Sequence, residues 1–357
     1  MARFSQMRWR YGIVTAIQAL VPLWAVLAAL IVGGFLIAAT GANPFHAYRA
    51  LVIGAFGSVY GLSETVARTC PLLFAALGTA ICFRAKVYNI GAEGQLYIGA
   101  LMATVTALWI GDALGPFSIL LVIVGGFLGG AVWGGIAGFL KARWGANEII
   151  TTIMFNYIAI YVAGFFVNGP LRDPEGAFPW TPIFATHAQL PRLLAGTRLH
   201  AGVLVALAAS FVVFLLLRKM VIGYEIRVVG EGERVARYGR IPVERIIVGA
   251  MILGGGFAGL AGMNEVAGIH HRMLEHISPG FGYTAIAVAL LGELHPMKII
   301  LAAFLFGALE IGSSAMQYEA KVPAAMVLVI EGLIVIFVVG RAFLTRRLPR
   351  VQPLSGK

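Results

Sequence analysis

PFSILLVIVGGFLGGAVWGGIAGFL (116–140) contains not one charged side chain. As a helix rising 1.5 Å per residue it would measure about 37 Å, longer than the roughly 30 Å hydrocarbon core of a bilayer. Lipid offers no partner to backbone polar groups, so an apolar stretch of this length reads as a membrane-spanning helix that satisfies its own. Within it Gly126, Gly130, Gly134 and Gly138 recur at every fourth position, with Gly125 and Gly129 on the adjoining stripe. That spacing places them on one helix face. A face of small residues lets two backbones approach where no hydrophobic drive pulls helices together. The stripe reads either as static packing or as an interface that moves.

The rest of the chain has the same character. Hydrophobic residues make up 59% of the 357, charged residues 12%, and mean hydropathy is +0.87. A soluble domain carries about 25% charged residues, so this composition excludes one. Hydrophobic windows predict an all-α, polytopic membrane protein of about ten transmembrane helices. These lie near 13–39, 66–83, 89–110, 116–140, 147–168, 199–217, 246–263, 281–292, 299–316 and 322–340. The eighth, bounded by Pro279 and Pro296, is short enough for a half-span or a broken helix. The apolar, glycine-interrupted stretch 45–62 reads as an eleventh span or a surface helix. The seventh repeats the glycine device with Gly254, Gly255, Gly256, Gly259 and Gly262. Arg3, Arg8 and Arg10 resemble the basic start of a signal peptide, but the run 13–39 exceeds an h-region of about 7–15 residues. It is therefore expected to stay as the first span. The whole chain, 1–357, is read as one transmembrane domain, embedded over about 13–340, with a tail at 341–357.

Charge sets the expected orientation. With ten spans and the N-terminus inside, the outer side keeps Arg49, Arg68, Arg172, Arg192, Arg198, Arg272 and Lys321, seven of the 27 basic residues. Such an excess on one side is what membrane insertion selects, and it predicts two cytoplasmic termini. The net charge of +11 is spread between apolar spans and predicts no nucleic-acid partner. Cys70 and Cys82 fall twelve residues apart in one helix, about 18 Å, too far to bridge. No phosphate-binding loop, H-E-x-x-H or G-x-S-x-G occurs. No catalytic group, cofactor or metal site is predicted, and any ATP hydrolysis belongs to another polypeptide. His270, His271 and His276, after the seventh span, read as a solvated loop.

Polar residues at helix starts are the candidates for a solute path, because a polar group within a membrane usually faces a cavity or a partner. Glu93 and Gln95 sit among glycines in YNIGAEGQ (88–95). Asn147 and Glu148 open the fifth span, followed by Thr152, Phe155 and Asn156. These seven either line the path or, for Glu93 and Glu148, occupy helix N-termini where the dipole favours an anion. Glu265, Glu293, Glu310 and Glu331 also lie near spans, and nothing in the sequence ranks them. Outside the lipid, 168–200 is proline-rich and 218–245 carries both signs of charge. Within the latter, EGERVARYGRIP (231–242) has Glu231 and Glu233 first, then Arg234, Arg237, Tyr238 and Arg240 before Pro242. Acid-first, base-last order suits a short helix. Its apolar face of Val235, Ala236 and Tyr238 fits a groove on a partner or the lipid headgroups.

Four segments, in order across about residues 60–340, carry a resemblance: YNIGAEGQLYIGA (88–100), GANEIITTIMFNYIA (145–159), GGGFAGLAGMNEVAG (254–268) and GFGYTAIAVALLGELHP (280–296). They resemble the ABC-transporter permeases of simple-sugar, branched-chain amino-acid and nucleoside importers. NEIITTIMFNYIA is most similar to the nucleoside permeases served by a binding lipoprotein. The resemblance implies a bacterial inner-membrane location, a second related permease chain, and a cytoplasmic ABC ATPase engaging Glu231–Ile241. It also implies a substrate-binding lipoprotein docking against the 168–200 and 264–280 loops, and import by alternating access. The family often has Asn-Pro before Ala-Ala in the loop helix, and Glu231-Gly232-Glu233-Arg234 departs from that. From another class, an ion-coupled secondary transporter would carry its coupling site within the spans and need no docking helix.

Overall fold

The computed structural model describes residues 27–323, 325–326, 328–330, 332–333 and 336–337. Residues 13–26 of the expected first span, much of the tenth, Glu331 and the tail 341–357 lie outside them. The regular elements among the described residues are helices. In chain order they are α1 (Leu27–Ala39), α2 (Pro44–Phe56), α3 (Val59–Arg84), α4 (Ala92–Ile110), α5 (Ser118–Trp144) and α6 (Glu148–Asn168). There follow α7 (Gly202–Lys219), α8 (Val221–Glu231), α9 (Glu233–Tyr238), α10 (Val243–Asn264), α11 (Phe281–Leu291) and α12 (Pro296–Ala320). Six segments are long and apolar enough to cross a bilayer: α3, α5 with the 3-10 turn before it, α6, α7, α10 with the turn after it, and α12. The protein is a polytopic membrane protein. Two shorter apolar helices, Leu27–Ala39 and Phe281–Leu291, join these six among the described residues, and the count of ten is not established.

Local chemistry explains where the elements depart from the hydropathy windows. The third helix starts at Val59 and not near 66, because the Ser58 hydroxyl accepts from Gly61 N at 2.9 Å and the charge of Glu64 is met by Arg198. A polar first turn therefore continues into the apolar one. The stretch 45–62 yields the 13-residue α2. The loop 218–245 is mostly helix: α8 buries Gly223, Ile226, Val229 and Gly230 along one side. The eighth expected span is the 11-residue α11. The fifth helix stops at Gly145, whose left-handed φ of 66° turns the chain back onto the Leu140 and Lys141 carbonyls.

Residues 55–311 form one compact unit and residues up to 54, with those from 312 on, another. In the larger unit α10 is the hub, packed against α3, α4 and α5. Its glycines make that possible. A Cβ on Gly255 would strike the Gly130 carbonyl, one on Gly259 the Gly126 carbonyl, and one on Gly254 the Cys82 sulfur, with the Gly78 carbonyl 2.9 Å away. From the opposing side, a Cβ on Gly134 would strike the Met251 carbonyl, and one on Gly138 would come 2.7 Å from the Met251 Cβ. Gly99 on α4 meets the Gly259 backbone in the same way. Thus Gly126, Gly130, Gly134 and Gly138 face α10, and Gly255 and Gly259 face them. In the smaller unit, Gly54 lies against Ala315, Gly312 against the Leu51 carbonyl, and the Tyr48 hydroxyl donates to the Leu30 carbonyl.

Gly255→Val is expected to cost about 1–3 kcal/mol, the usual penalty for overpacking, and to lower the thermal midpoint of the detergent-purified protein. Gly249→Ala, on the same helix with nothing within 4 Å of the added carbon, is expected to leave that midpoint unchanged or raise it. Tryptophan fluorescence on heating compares the two.

Candidate translocation core and coupling surface

Between α3 and α4 the chain runs unwound from Lys86, at a φ of 55°, to Gly91. Lys86 and Tyr88 are exposed, but Val87, Asn89 and Gly91 are buried and Ile90 half-buried, and buried polar backbone groups here and in the first turn of α4 need partners. Asn156, on α6, supplies two: its Oδ1 accepts from Gly94 N at 2.8 Å and its Nδ2 donates to the Ile90 carbonyl at 2.9 Å. One turn earlier, the Thr152 hydroxyl accepts from Ile90 N at 3.2 Å while donating to the Glu148 carbonyl at 2.6 Å. Asn89 and Gln95 pair amide to amide at 3.0 and 3.2 Å, and Asn89 Oδ1 also accepts from Gly91 N. Glu93 stands in the first turn of α4, and its Oε2 accepts from Gly282 N, at the start of α11, at 2.7 Å. It thereby serves two helix N-termini, where the dipoles favour an anion. Tyr283 closes the ring by accepting from Asn156 Nδ2 at 3.2 Å.

The structure thus gathers Glu93, Gln95, Thr152 and Asn156 into one buried cluster. It leaves the other three expected path residues outside. Asn147 is exposed and caps α6, its Oδ1 accepting from Ile149 N and Ile150 N. Glu148 pairs with Lys141 at 2.7 Å. Phe155 lies on Trp133, ring centroids 5.3 Å apart. Asn89 and Tyr283 belong to the cluster and were not singled out. The signal was present in the glycines: a Cβ on Gly91, Gly94 or Gly282 would collide with Thr152, Asn156 or the Glu93 backbone. The side of α6 away from the cluster exposes Tyr157, Tyr161 and Phe165, four residues apart.

A second polar group lies where α10 ends. There the helix widens into a π turn, Glu265–His270, a form that recurs at functional sites. Glu265 is fully buried, with Arg68 and His270 each at 3.8 Å, and Arg68 also reaches Glu310 at 3.3 Å. The histidines are not the solvated set expected: His276 is exposed, but His270 and His271 are half-buried, packed under the proline-rich loop. That loop is knitted to 267–274. Thr181 N donates to the Met273 carbonyl, Phe184 N to His271 and Leu190 N to Ala267, at 2.9–3.0 Å, and Arg272 stacks over Trp180. His200, buried at the end of the loop, accepts from Gly202 N through Nδ1. Burial, and then the neighbouring His271, pushes its imidazole down from 6.5 to about 4.

The charged segment forms a projecting surface. The helix α9 is anchored by Ala236, which is 0% exposed, and by Arg237, whose guanidinium holds Glu244 at 2.6 Å. Val235 and Tyr238 do not join that anchor; they are 60% and 92% exposed. Glu231, Glu233, Arg234 and Arg240 are exposed around them. A single turn of helix thus presents an aromatic tip ringed by charges of both signs.

The profile of the branched-chain amino acid transport system permease component matches residues 61–339. The chain belongs to that permease family. The permease is 35% identical to a glucose ABC transporter permease protein of Haloferax volcanii, over 91% of this chain and 88% of the relative. It is 34% identical to a guanosine ABC transporter permease protein of Bacillus subtilis, over 89% and 92%. A nucleoside ABC transporter permease protein of Lactococcus lactis is 29% identical, over 95% of each chain. Each of these organisms also has a second permease of the same named substrate, 30%, 26% and 25% identical to this one in the same order. No solved structure matches the chain.

Two outcomes follow from the site. Asn156→Ala orphans a buried N–H and a buried carbonyl at about 1–3 kcal/mol each, so the thermal midpoint of the permease should fall clearly. A merely path-lining residue would leave it unmoved. Because the folded pKa of His200 lies below its unfolded value, the unfolded chain takes up the proton first as pH falls. Stability should therefore drop from about pH 6.5 toward pH 4, and less steeply in His200→Asn, which keeps an acceptor for Gly202 N and cannot titrate. Melting curves across that range provide the check.

Proposed function

We propose that the permease is the membrane-spanning subunit of an ATP-driven importer of nucleosides, working by alternating access. The observation that carries this reading is α9. Ala236 is buried in its own chain while the aromatic tip is left bare, which is the form of a helix made to enter a groove on a partner. That partner is a separate cytoplasmic ABC ATPase, in keeping with the absence of a phosphate loop in this sequence. Closure of the ATPase halves would push on α9, and the Arg237–Glu244 pair would pass the push into α10. The 218–245 segment and both termini then face the cytoplasm, as the distribution of basic residues favours.

On this reading the solute passes along the exposed aromatic side of α6, facing a second, related permease chain. The buried cluster of Glu93, Gln95, Thr152 and Asn156 holds that wall in place from behind. Paired permeases in three organisms support a heterodimer. The knitted 168–200 and 267–274 loops would receive the substrate-binding lipoprotein at the opposite membrane face. Two of the relatives named above support nucleosides as the cargo, and aromatic side chains suit base stacking. A glucose cargo is the second reading, favoured by the 35% identical relative.

Tyr238→Ala removes a side chain that supports nothing in its own fold, so the protein should insert normally. Uptake of labelled guanosine by cells carrying the whole importer should nevertheless fall at least tenfold, about 1.4 kcal/mol of lost coupling. Undiminished uptake would remove α9 from the transport cycle. Uptake of labelled glucose, competed by unlabelled glucose and not by guanosine, would transfer the cargo to the second reading.

A further inference from the structure

A second charged feature lies beside α8, away from the aromatic tip. The ends of α3, α7 and α8 and the start of α12 enclose a cavity of about 330 Å³ lined by Arg84, Phe214, Arg218, Arg227, His295 and Pro296. Its walls are fixed by close backbone contacts. A Cβ on Gly223 would strike the Leu216 carbonyl, and one on Gly230 the Arg84 carbonyl, so α8 is clamped to both neighbours. Arg84 is further held by its Nε, which donates to the Leu294 carbonyl at 2.9 Å.

Three guanidinium groups and an imidazole thus converge, with no counter-charge paired to the guanidinium groups among the described residues. Among the described residues, no carboxylate stands within ion-pair distance of Arg84, Arg218 or Arg227. Glu293 is engaged by Lys298. The Nδ1 of His295 is buried with no hydrogen-bond partner. Burial, then the positive charges of Arg84, Lys298 and Arg218, hold that imidazole below its ordinary range. Arg84 and Arg227 are half-buried, Arg218 is exposed with its guanidinium 5.6 Å from the Phe214 ring centre, and like charges brought this close repel unless an anion joins them.

We propose that this cavity binds the phosphate of an anionic phospholipid headgroup. Phosphate offers oxygens in the fork geometry that guanidinium groups match, and basic pockets between membrane helices take such headgroups. The surroundings favour a lipid as the source over a dissolved anion. The His295 ring lies 5.8 Å from that of Phe214, which stacks at 6.5 Å on Phe211. Phe211 is 55% exposed on the apolar flank of α7, beside exposed Val212 and Leu215. From the Phe214 wall of the cavity an exposed apolar strip of α7 thus leads away, where an acyl chain would lie. Lys219 at the α7 terminus marks the depth at which headgroups sit.

Native mass spectrometry of the complete importer, released in detergent with equal phosphatidylglycerol and phosphatidylcholine, tests this. Wild type should retain phosphatidylglycerol in preference. Arg218→Gln with Arg227→Gln should weaken that retention about thirtyfold, two basic contacts at the usual worth of each, and Arg227→Lys, which keeps the charge and loses the fork, should fall between that variant and wild type. Both positions leave the Arg84–Leu294 bond intact, and an unchanged melting midpoint verifies the fold. Equal retention of the two lipids, or retention untouched by the double substitution, overturns the proposal. Millimolar inorganic phosphate bound in place of any lipid overturns the lipid as the source. A cavity that takes lipid in the lone permease and excludes it in the full importer is filled by a partner's side chain, and overturns it too.

Discussion

Backbone lies against backbone along α10, and everything else in the larger unit depends on that contact. In lipid, helices gain nothing by burying apolar surface, so their cohesion comes from dispersion and weak polar contacts that fall away within an ångström. The glycines at 254, 255 and 259 remove the side chains that would hold α3, α4 and α5 off. The result is a tightly packed body around one helix, one end of which leads from α9 and the other into the buried Glu265 turn. A push at one end of such a helix travels its length, since packed interiors do not deform smoothly.

Close packing alone would not hold a chain that is unwound from Lys86 to Gly91 and restarts a helix at Phe281. Those breaks leave N–H and carbonyl groups inside a protein that has no water to offer them. Asn156 and Thr152 answer the first break and Glu93 the second, each from a neighbouring helix. The polar side chains that a reader of the sequence would place on a solute path are thus spent on the backbone. What they leave bare is the far side of α6, with its tyrosines and phenylalanine. On the proposed function, position and passage are separate tasks set on opposite sides of one helix.

Much of this was legible in the residues. A four-residue glycine period in an uncharged run predicts both a span and the face it buries, and Gly126 to Gly138 lie where that period puts them. Pro279 and Pro296 bracketed a helix too short to cross. The order of charges in 231–240 located α9. Other features were hidden because they rest on partners distant in sequence. Nothing near Glu64 announces Arg198, so the span of α3 was expected to start near 66, and 45–62 read as a separate span or surface helix. Nothing near Asn156 announces Ile90 or Gly94. The amphipathic α8 was legible in Ile226 and Val229, three residues apart on its buried side, but the charges of 218–245 made the segment read as a loop. His270 and His271 looked solvated because the loop that covers them lies some eighty residues earlier.

The central claim is that α9 moves a rigid, glycine-packed body. Hydrogen exchange read by mass spectrometry on the reconstituted importer, with and without a non-hydrolysable nucleotide, tests it most directly. The account predicts that exchange in 231–241 slows when the nucleotide binds, while residues 250–264 stay strongly protected in both states. Exchange in 250–264 that rises and falls with the nucleotide, or exchange in 231–241 that ignores it, would contradict the account.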